Sequence, residues 1–440
     1  MTNKLIAERT ERTQWFMEDR FGMFIHWGLY AIPARGEWLR CNEQMSVEDY
    51  QVYFDEFNPQ RYNPKEWAKA AKQAGMKYAV LTAKHHDGFC LFDSKLTDYK
   101  STKTPSGRDL VREFLEAFRE EGIKVGLYYS IIDWYHEDYP AYGDRHHPMR
   151  NNEDFKRDPA TFENYLTYMH GQVKELVTEY GHLDIMWFDF SYDEMTAEKW
   201  RSTELIEMMR SNQPHIVIDN RLEVNGEQGA SIYTSNPEVY AGDFASPEQI
   251  IPPQGVMDEK GNAIPWEACV TLNNNWGYAA NDLNYKSPET IIRKLVECVS
   301  KNGNLLLNVG PNAQGEIPVQ SLEILEEVGE WMTANGESIY GCSYTDLPQP
   351  EWGRYTRKGN KIYAHVFEQS IGPINLPGLA GKVKKARVLA DGSEMFISIP
   401  WNAQLFVDDA FINFARPEHN TYQLPDKRNT VIELTLHDDN

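Results

Sequence analysis

The sequence predicts an α/β fold, a (β/α)8-type TIM barrel followed by a small C-terminal antiparallel β-sandwich domain. Short apolar segments rich in β-formers alternate with helical segments up to about residue 340, which is typical of a parallel α/β sheet. Polar residues follow the predicted strands, at the end where barrels build their active sites. Beyond that point the helical periodicity stops and short strands follow. We therefore expect a catalytic barrel over residues 1–342 and a β-sandwich domain over residues 343–440.

Eight segments are predicted to be the strands of the barrel. The fourth is the clearest, because a continuous apolar run bounded by turn-forming and polar residues is typical of a buried parallel strand. Since side chains alternate between the faces of a strand, Trp187 and Asp189 are expected to point to the same side. The eight segments cover residues 21–27, 76–82, 123–129, 184–190, 215–221, 231–234, 267–272 and 303–310.

Helix signals fill most of the intervals between these strands. Asn63-Pro64, Asp158-Pro159 and Ser287-Pro288 each place a capping residue before a helix-opening proline. Residues 222–265 show no helical periodicity and contain many Gly, Pro and Asn residues, so this segment is expected to be functional or disordered. In the C-terminal domain, strands are predicted at residues 361–367, 385–390, 394–399 and 430–436.

The composition argues against several classes of function. A net charge of −22 over 440 residues disfavours a nucleic acid or an anionic membrane as partner. The five cysteines are scattered, with no C-x-x-C pair, so neither a disulfide framework nor a zinc ribbon is indicated. The N-terminal residues are charged and no apolar run approaches membrane-spanning length. A cytoplasmic protein is therefore expected, or a secreted one if a leader has been removed.

The polar residues at the predicted strand ends indicate a ligand site. As metal ligands the histidines fit poorly, because His85 and His86 on one extended strand would point to opposite faces. As hydrogen-bonding groups beside aromatic rings they suit a sugar, whose apolar face stacks on Trp or Tyr. We therefore expect no metal and no cofactor. The residues at the strand ends are His26, His85, His86, Tyr128, Trp187, Asp189 and Arg221.

Glycoside hydrolysis, one reaction that such a site can perform, requires two carboxyl groups flanking the scissile bond. Asp189 is the first candidate, because Arg221 on the neighbouring strand would favour its ionised form at neutral pH. The second carboxyl group must come from another segment of the chain. By position, the candidates are Glu248, Glu37, Asp243 and Glu267.

Five motifs in the predicted barrel resemble glycoside hydrolase family 29, the α-L-fucosidases, in the right order along the chain. The resemblance implies a retaining exo-glycosidase that removes terminal α-L-fucosyl residues from oligosaccharides or glycoconjugates. The motifs are Gly22-Met23-Phe24-Ile25-His26-Trp27-Gly28 with the following Glu37-Trp38, Ala83-Lys84-His85-His86-Asp87-Gly88-Phe89, Gly126-Leu127-Tyr128-Tyr129-Ser130, Met186-Trp187-Phe188-Asp189, and Gly303-Asn304-Leu305-Leu306-Leu307-Asn308-Val309-Gly310-Pro311.

The resemblance also implies roles for individual residues. Asp189 matches the catalytic nucleophile in the family's Trp-x-Asp motif. Residues 243–248 resemble the stretch that carries the acid/base in the branch selective for α-1,3/1,4-fucosyl linkages, so Glu248 is preferred to Glu37 for that role. The residues implied to bind the sugar are His26, Glu37, Trp38, His85, His86, Tyr128, Trp187 and Arg221.

Two other functions stay open at this point. A metal-dependent TIM-barrel hydrolase would use His26, His85 and His86 as ligands. A catalytically silent fucose-binding protein would keep the aromatic pocket without a working acid. The expected partner is a fucosylated oligosaccharide substrate, while the natural glycan, transglycosylation and the oligomeric state are left open.

Overall fold

The computed structural model describes residues 2–156, 159–193, 195–223, 242–257, 261–414 and 422–437. Within these ranges the larger part of the chain forms a curled, TIM-barrel-like half-barrel of seven parallel strands, and the C-terminal part forms two antiparallel sheets. The predicted fold class is confirmed. The parallel strands are β1 (Phe21–Ile25), β2 (Tyr78–Lys84), β3 (Lys124–Ser130), β4 (Ile185–Asp189), β5 (Val217–Ile218), β6 (Glu267–Thr271) and β7 (Asn304–Val309).

Sequence neighbours are spatial neighbours in most of this sheet, whose order is β5-β4-β3-β2-β1-β7-β6. Every residue of β1, β2, β6 and β7 is buried, as expected for strands covered on both faces. β5 is much shorter than predicted, because only two residues keep a regular ladder with β4. Because the strands are parallel, the segments that follow them meet at one end of the half-barrel, and the predicted site residues lie at that end.

Helices surround the sheet and begin where the sequence places capping residues. The side chain of Asn63 accepts a hydrogen bond from the Lys65 N–H, and that of Ser287 accepts one from the Thr290 N–H. The predicted helices that start at Asn63-Pro64 and Ser287-Pro288 are thus confirmed. The α-helices are α1 (Thr2–Asp19), α2 (Leu39–Asn42), α3 (Val47–Glu56), α4 (Pro64–Gln73), α5 (Leu110–Glu120), α6 (Phe162–Glu179), α7 (Ser202–Asn212), α8 (Pro288–Ser300) and α9 (Val319–Asn335).

Residues 243–248 lie between β5 and β6 and take the place of an eighth strand. They form isolated parallel bridges instead of a continuous ladder, so this part of the wall is irregular. The strand predicted at residues 231–234 lies outside the described residues. The bridges join Phe244 to Asp219, Ala245 to Trp266 and Glu248 to Cys269.

Helix α1 has no counterpart in the predicted elements, yet it covers one end of the half-barrel. Its Phe16 ring lies 4.8 Å from the ring of Phe244 and 5.6 Å from that of Tyr78, centroid to centroid. Since α1 directly precedes β1, the covered end is the one where the strands begin. The apolar cluster inside the half-barrel contains Phe16, Phe24, Tyr78, Val80, Tyr128, Ile185, Trp187, Val217, Phe244, Cys269 and Leu306.

The C-terminal part packs around an apolar cluster of its own. Its strands are β8 (Gly353–Lys358), β9 (Lys361–Val366), β10 (Ile374–Leu376), β11 (Val383–Val388), β12 (Phe396–Ile397), β13 (Ala410–Asn413) and β14 (Thr430–Leu436). One sheet has the order β11-β14-β9-β8 and the other the order β10-β13-β12. Three of the four predicted strands are confirmed as β9, β11 and β14, whereas the one predicted at 394–399 is reduced to two residues. No helix among the described residues is long and apolar enough to cross a lipid bilayer.

A buried ion-pair cluster fixes the beginning of the 243–248 segment. The carboxylate of Asp243, which is fully buried, accepts hydrogen bonds from Arg12 Nη2 at 2.7 Å and from Arg210 Nη2 at 3.1 Å. Its Oδ2 also accepts the backbone N–H of Ile218 at 3.0 Å. One carboxylate thus ties the segment to α1, α7 and β5.

We predict that Asp243→Asn lowers the free energy of unfolding by about 3–5 kcal/mol, because two largely buried guanidinium groups lose their shared anion. Urea unfolding of the full chain measures this change. Asp98→Asn is the control, since Asp98 is 87% exposed and pairs with Lys103 only at 3.6 Å. Equal, small effects of the two substitutions would contradict the structural role given to Asp243.

Candidate active site

A cavity of about 430 Å³, counted to its open mouth, lies where the parallel strands end. Nine of the ten predicted site residues line it, and Glu37 is the exception. Trp187 and Asp189 face it together, which confirms the expectation from strand alternation. The lining residues are Phe24, His26, Trp38, His85, His86, Tyr128, Trp187, Asp189, Phe190, Arg221, Glu248, Cys269 and Trp276.

The carboxylate of Asp189 is held by one donor from β3 and one from the segment that follows β5. Tyr128 O–H donates to Oδ2 at 2.8 Å, and Arg221 Nη1 donates to Oδ1 at 2.9 Å. Burial raises the pKa of Asp189 to about 6, although the cation of Arg221 opposes this rise. Asp189 is therefore ionised at neutral pH, as the sequence predicted, with a pKa above the ordinary value for aspartate.

The residue after Asp189 has an unusual backbone conformation. Phe190 has φ of +89°, a region that residues with a side chain rarely adopt. This turn directs the Phe190 backbone N–H towards the Asp189 carboxylate, where it favours the charged form. The Phe190 ring lines the cavity and packs 5.3 Å from the Trp38 ring. The strained conformation of Phe190 thus gives Asp189 a third hydrogen-bond donor, in addition to Tyr128 and Arg221.

Arg221 connects Asp189 to Glu248. Its Nη2 lies 3.1 Å from Glu248 Oε2, while its Nη1 binds Asp189. Glu248 ends the 243–248 segment and its side chain is 41% exposed, against 15% for Asp189. One carboxyl group is therefore buried on the cavity floor and the other stands at the cavity mouth.

The guanidinium of Arg221 is itself fixed in place. Its Nε donates to Ser246 Oγ at 2.8 Å and its Nη2 donates to the Ser246 carbonyl at 3.0 Å. Its central carbon lies 4.9 Å from the centroid of the Trp187 ring, a cation–π distance. Because Ser246 precedes Glu248 by two residues, the same short segment positions both the arginine and the second carboxyl group.

The hydrogen bonds around His26 determine its tautomer. Asn308 Nδ2 donates to the carbonyl of Trp276 at 2.7 Å, so the amide oxygen of Asn308 faces His26 Nδ1, also at 2.7 Å. Because that oxygen can only accept, Nδ1 carries the proton. Burial lowers the pKa of His26 to about 3, so the ring is neutral. Its Nε2 is therefore a hydrogen-bond acceptor.

The same argument applies to His86. Ser130 Oγ donates its hydrogen to the Ile132 carbonyl at 2.8 Å and must therefore accept from His86 Nδ1 at 2.7 Å. Burial lowers the pKa of His86 well below its ordinary value, so its ring is neutral as well. His86 thus also presents Nε2 as an acceptor.

The expectation that His85 and His86 point to opposite faces is wrong. β2 ends at Lys84, so neither histidine belongs to the extended strand and both rings enter the cavity, 4.0 Å apart between centroids. Burial lowers the pKa of His85 well below its ordinary value too. Among the described residues, no cluster of three or more His, Cys, Asp or Glu side chains is arranged to hold a metal ion.

Three of the carboxyl candidates lie outside the cavity. Glu37 is buried behind the wall, where its Oε2 accepts the backbone N–H of Gly277 at 2.8 Å, and burial raises its pKa. Asp243 is engaged in the ion-pair cluster with Arg12 and Arg210. Glu267 is completely buried below the cavity floor. Glu248 is the candidate that shares a cavity with Asp189.

Four lining residues were not predicted as site residues. Phe24 lies two residues before His26 on β1, so strand alternation alone would have found it. Cys269 lies in the middle of β6, a strand that the sequence predicted, whereas Phe190 depends on a strained turn that leaves no periodic signal. Trp276 lies on a loop, with its ring centroid 5.0 Å from that of His26.

Known proteins resemble this chain in sequence and in fold. The sequence matches the family model described as alpha-L-fucosidase over residues 2–337. Alpha-L-fucosidase isoenzyme 1 from Paenibacillus thiaminolyticus is 64% identical, with a TM-score of 0.93, and the alignment covers 98% of this chain and 100% of that chain. Tissue alpha-L-fucosidase from Homo sapiens is 31% identical over 378 residues, which cover 80% of this chain and 74% of that protein.

A third relative is informative about chemistry. It is an alpha-L-fucosidase of glycoside hydrolase family 29 from Bacteroides thetaiotaomicron, described as a trapped covalent intermediate in complex with 2-fluoro-fucosyl fluoride. It is 28% identical with a TM-score of 0.82, over 97% of this chain and 96% of that chain. The resemblance found in the sequence motifs is confirmed, and the chain belongs to the α-L-fucosidases of glycoside hydrolase family 29.

Proposed function

We propose that this protein is a retaining exo-α-L-fucosidase in which Asp189 is the nucleophile and Glu248 the acid/base. The observation that carries the proposal is the guanidinium of Arg221, which contacts both carboxyl groups, at 2.9 Å and 3.1 Å. Its rigid fork keeps the two groups a few ångströms apart, and retaining glycosidases use a separation of about 5 Å. The covalent intermediate of the Bacteroides relative supports the same class of mechanism.

The reaction has two displacements. Asp189 attacks the anomeric carbon of the fucosyl group as the bond to the leaving oxygen breaks, and Glu248 gives its proton to that oxygen. A water molecule then gives a proton to Glu248 and adds its oxygen to the anomeric carbon, which releases the Asp189 carboxylate. Two inversions at one carbon retain the α configuration.

The cavity wall suits a deoxy-sugar. The Nε2 atoms of His26 and His86 accept hydrogen bonds, and sugar hydroxyl groups supply the donors. The rings of Trp187 and Trp276 offer apolar surface for the sugar ring and its methyl group. We assign sugar contacts to His26, Trp38, His85, His86, Tyr128, Trp187 and Arg221, and to Glu37 a supporting role behind Gly277.

The azide products of two variants test the assignment of the carboxyl groups. Asp189→Ala should lose at least about 10³-fold in kcat, and azide should occupy the nucleophile's place and give β-fucosyl azide. Glu248→Ala should accumulate the fucosyl-enzyme, which azide attacks from the opposite face to give α-fucosyl azide. Both products are measured by NMR with an activated aryl α-L-fucoside. The control Glu37→Ala should give no azide product, and α-fucosyl azide from that variant would transfer the acid/base role to Glu37.

The pH dependence of kcat/KM tests the environment of Asp189. Protonated Asp189 cannot attack, so kcat/KM should fall about tenfold per pH unit as the pH decreases below about 6, the pKa given by burial. Tyr128→Phe removes a donor that favours the ionised form, so the acid limb should move to higher pH. The control Tyr129→Phe should leave the limb in place, because Tyr129 O–H donates to Gln172 on the other face of β3. A limb that does not move in Tyr128→Phe would contradict this account.

The proposed linkage preference is that of the α-1,3/1,4-selective branch. It rests on the resemblance of residues 243–248 to that branch, in a segment whose position is fixed by the Asp243 and Ser246 contacts. We expect Lewis-type oligosaccharides to be hydrolysed at least about tenfold faster, in kcat/KM, than 2′-linked or core α-1,6-linked ones. Equal rates on all three would reject the branch while leaving the fucosidase activity in place.

A further inference from the structure

A carboxyl group lies inside the half-barrel, one layer below the cavity, where no step of the reaction needs it. Glu267 is completely buried and does not line the cavity. It belongs to β6 and precedes the lining residue Cys269 by two positions, so it points to the same side at a deeper level. Its surroundings include the apolar side chains of the interior cluster. A buried carboxyl group in such a place normally costs stability, and its presence calls for a reason.

Glu267 has two specific partners. Trp187 Nε1–H donates to its Oε1 at 3.3 Å, and Tyr78 O–H donates to its Oε2. Burial raises the pKa of Glu267 to about 8, against the effect of these two donors. Burial thus favours the neutral form of Glu267, and its specific contacts with the fold are these two hydrogen bonds.

The indole of Trp187, which donates its N–H to Glu267, also packs against both side chains that donate to Asp189. The Arg221 guanidinium carbon lies 4.9 Å from the centroid of the Trp187 ring, on its face. On the same indole, the Tyr128 ring stacks at a centroid distance of 5.8 Å with an angle of 22°. Both of these residues donate to Asp189. A rotation of the indole would displace both donors together.

We propose that Glu267 is a positioning residue for the nucleophile: by binding the N–H of Trp187, it fixes the indole on which Tyr128 and Arg221 rest, and through them the Asp189 carboxylate. This inference rests on the proposed role of Asp189. Glu267 touches neither substrate nor reacting atoms. Tyr78 completes the arrangement by binding the second oxygen of the carboxyl group.

The test uses the acid limb of kcat/KM, because that limb reports the pKa of Asp189. The titratable groups around Asp189 include Tyr128 on β3, Arg221 after β5, Glu248 on the 243–248 segment, Asp219 after β5 and Cys269 on β6. If the first two are displaced, the ionised form of Asp189 loses stabilisation and the limb moves to higher pH. A residue that only supports the fold would change the melting temperature without moving the limb.

Two substitutions of matched size separate the hydrogen bond from the packing. Glu267→Gln keeps an oxygen that accepts the Trp187 N–H, so kcat/KM should stay within about threefold and the limb should not move. Glu267→Met keeps the length of the side chain but leaves the N–H without an acceptor. It should lower kcat/KM by about tenfold or more, with the larger part in kcat, and move the limb to higher pH. Both are measured on an activated aryl α-L-fucoside with the full chain.

Two outcomes would overturn the inference. One is that Glu267→Met keeps full kcat/KM and an unchanged acid limb. The other is that Glu267→Gln folds but loses as much kcat/KM as Glu267→Met does. If Glu267→Met does not fold, Trp187→Phe removes the same hydrogen bond from the other side and must move the limb in the same direction. Failure of the proposed function is recognised separately, because Asp189→Ala would then keep its activity or give no β-fucosyl azide.

Discussion

The active site depends on one buried cation that two carboxyl groups share. Taking a guanidinium out of water is costly unless its charge and its donors are satisfied, and Arg221 uses its nitrogens on Asp189, Glu248 and Ser246. The fork of the guanidinium is rigid, so it fixes the positions of its partners relative to each other. The fixed position of Arg221 thus limits how far apart the carboxyl groups of Asp189 and Glu248 lie.

The histidines do not compete with this arrangement because they carry no charge. Burial keeps His26, His85 and His86 neutral, so Arg221 is the one cation among the described residues that line the cavity. A protonated imidazole near Asp189 would lower the pKa of this carboxyl group and weaken it in the proposed role of nucleophile. Neutral rings with a fixed tautomer recognise hydroxyl groups instead, and the tautomers of His26 and His86 follow from a backbone carbonyl at the end of each hydrogen-bond chain.

The sequence predicted those structural features that depend on interactions between residues close together in the chain. The apolar strand ending at Asp189 and the capped helices were predictable, because periodicity and caps act within a few residues. The position of Glu248 could not be predicted from local patterns. Residues 243–248 are attached to the half-barrel by isolated bridges and by the Asp243 ion pairs, whose partners are distant in the sequence. The sugar-binding role of Glu37 stays a prediction. Its neighbour Trp38 lines the cavity, while Glu37 accepts the backbone N–H of Gly277, a distant contact that no local pattern in the sequence indicates.

The interior of the half-barrel can be understood as layers that support each other. The upper layer carries the Asp189 carboxylate with its donors Tyr128 and Arg221. The indole of Trp187 lies below these donors, and Glu267 with Tyr78 lies below the indole. Phe16 of α1 closes this stack from the end where the strands begin. A neutral carboxylic acid costs far less to bury than a carboxylate, which is why such a residue can anchor an indole N–H in an apolar layer. In the arrangement proposed for Glu267, the position of Asp189 thus depends in part on side chains that do not line the cavity.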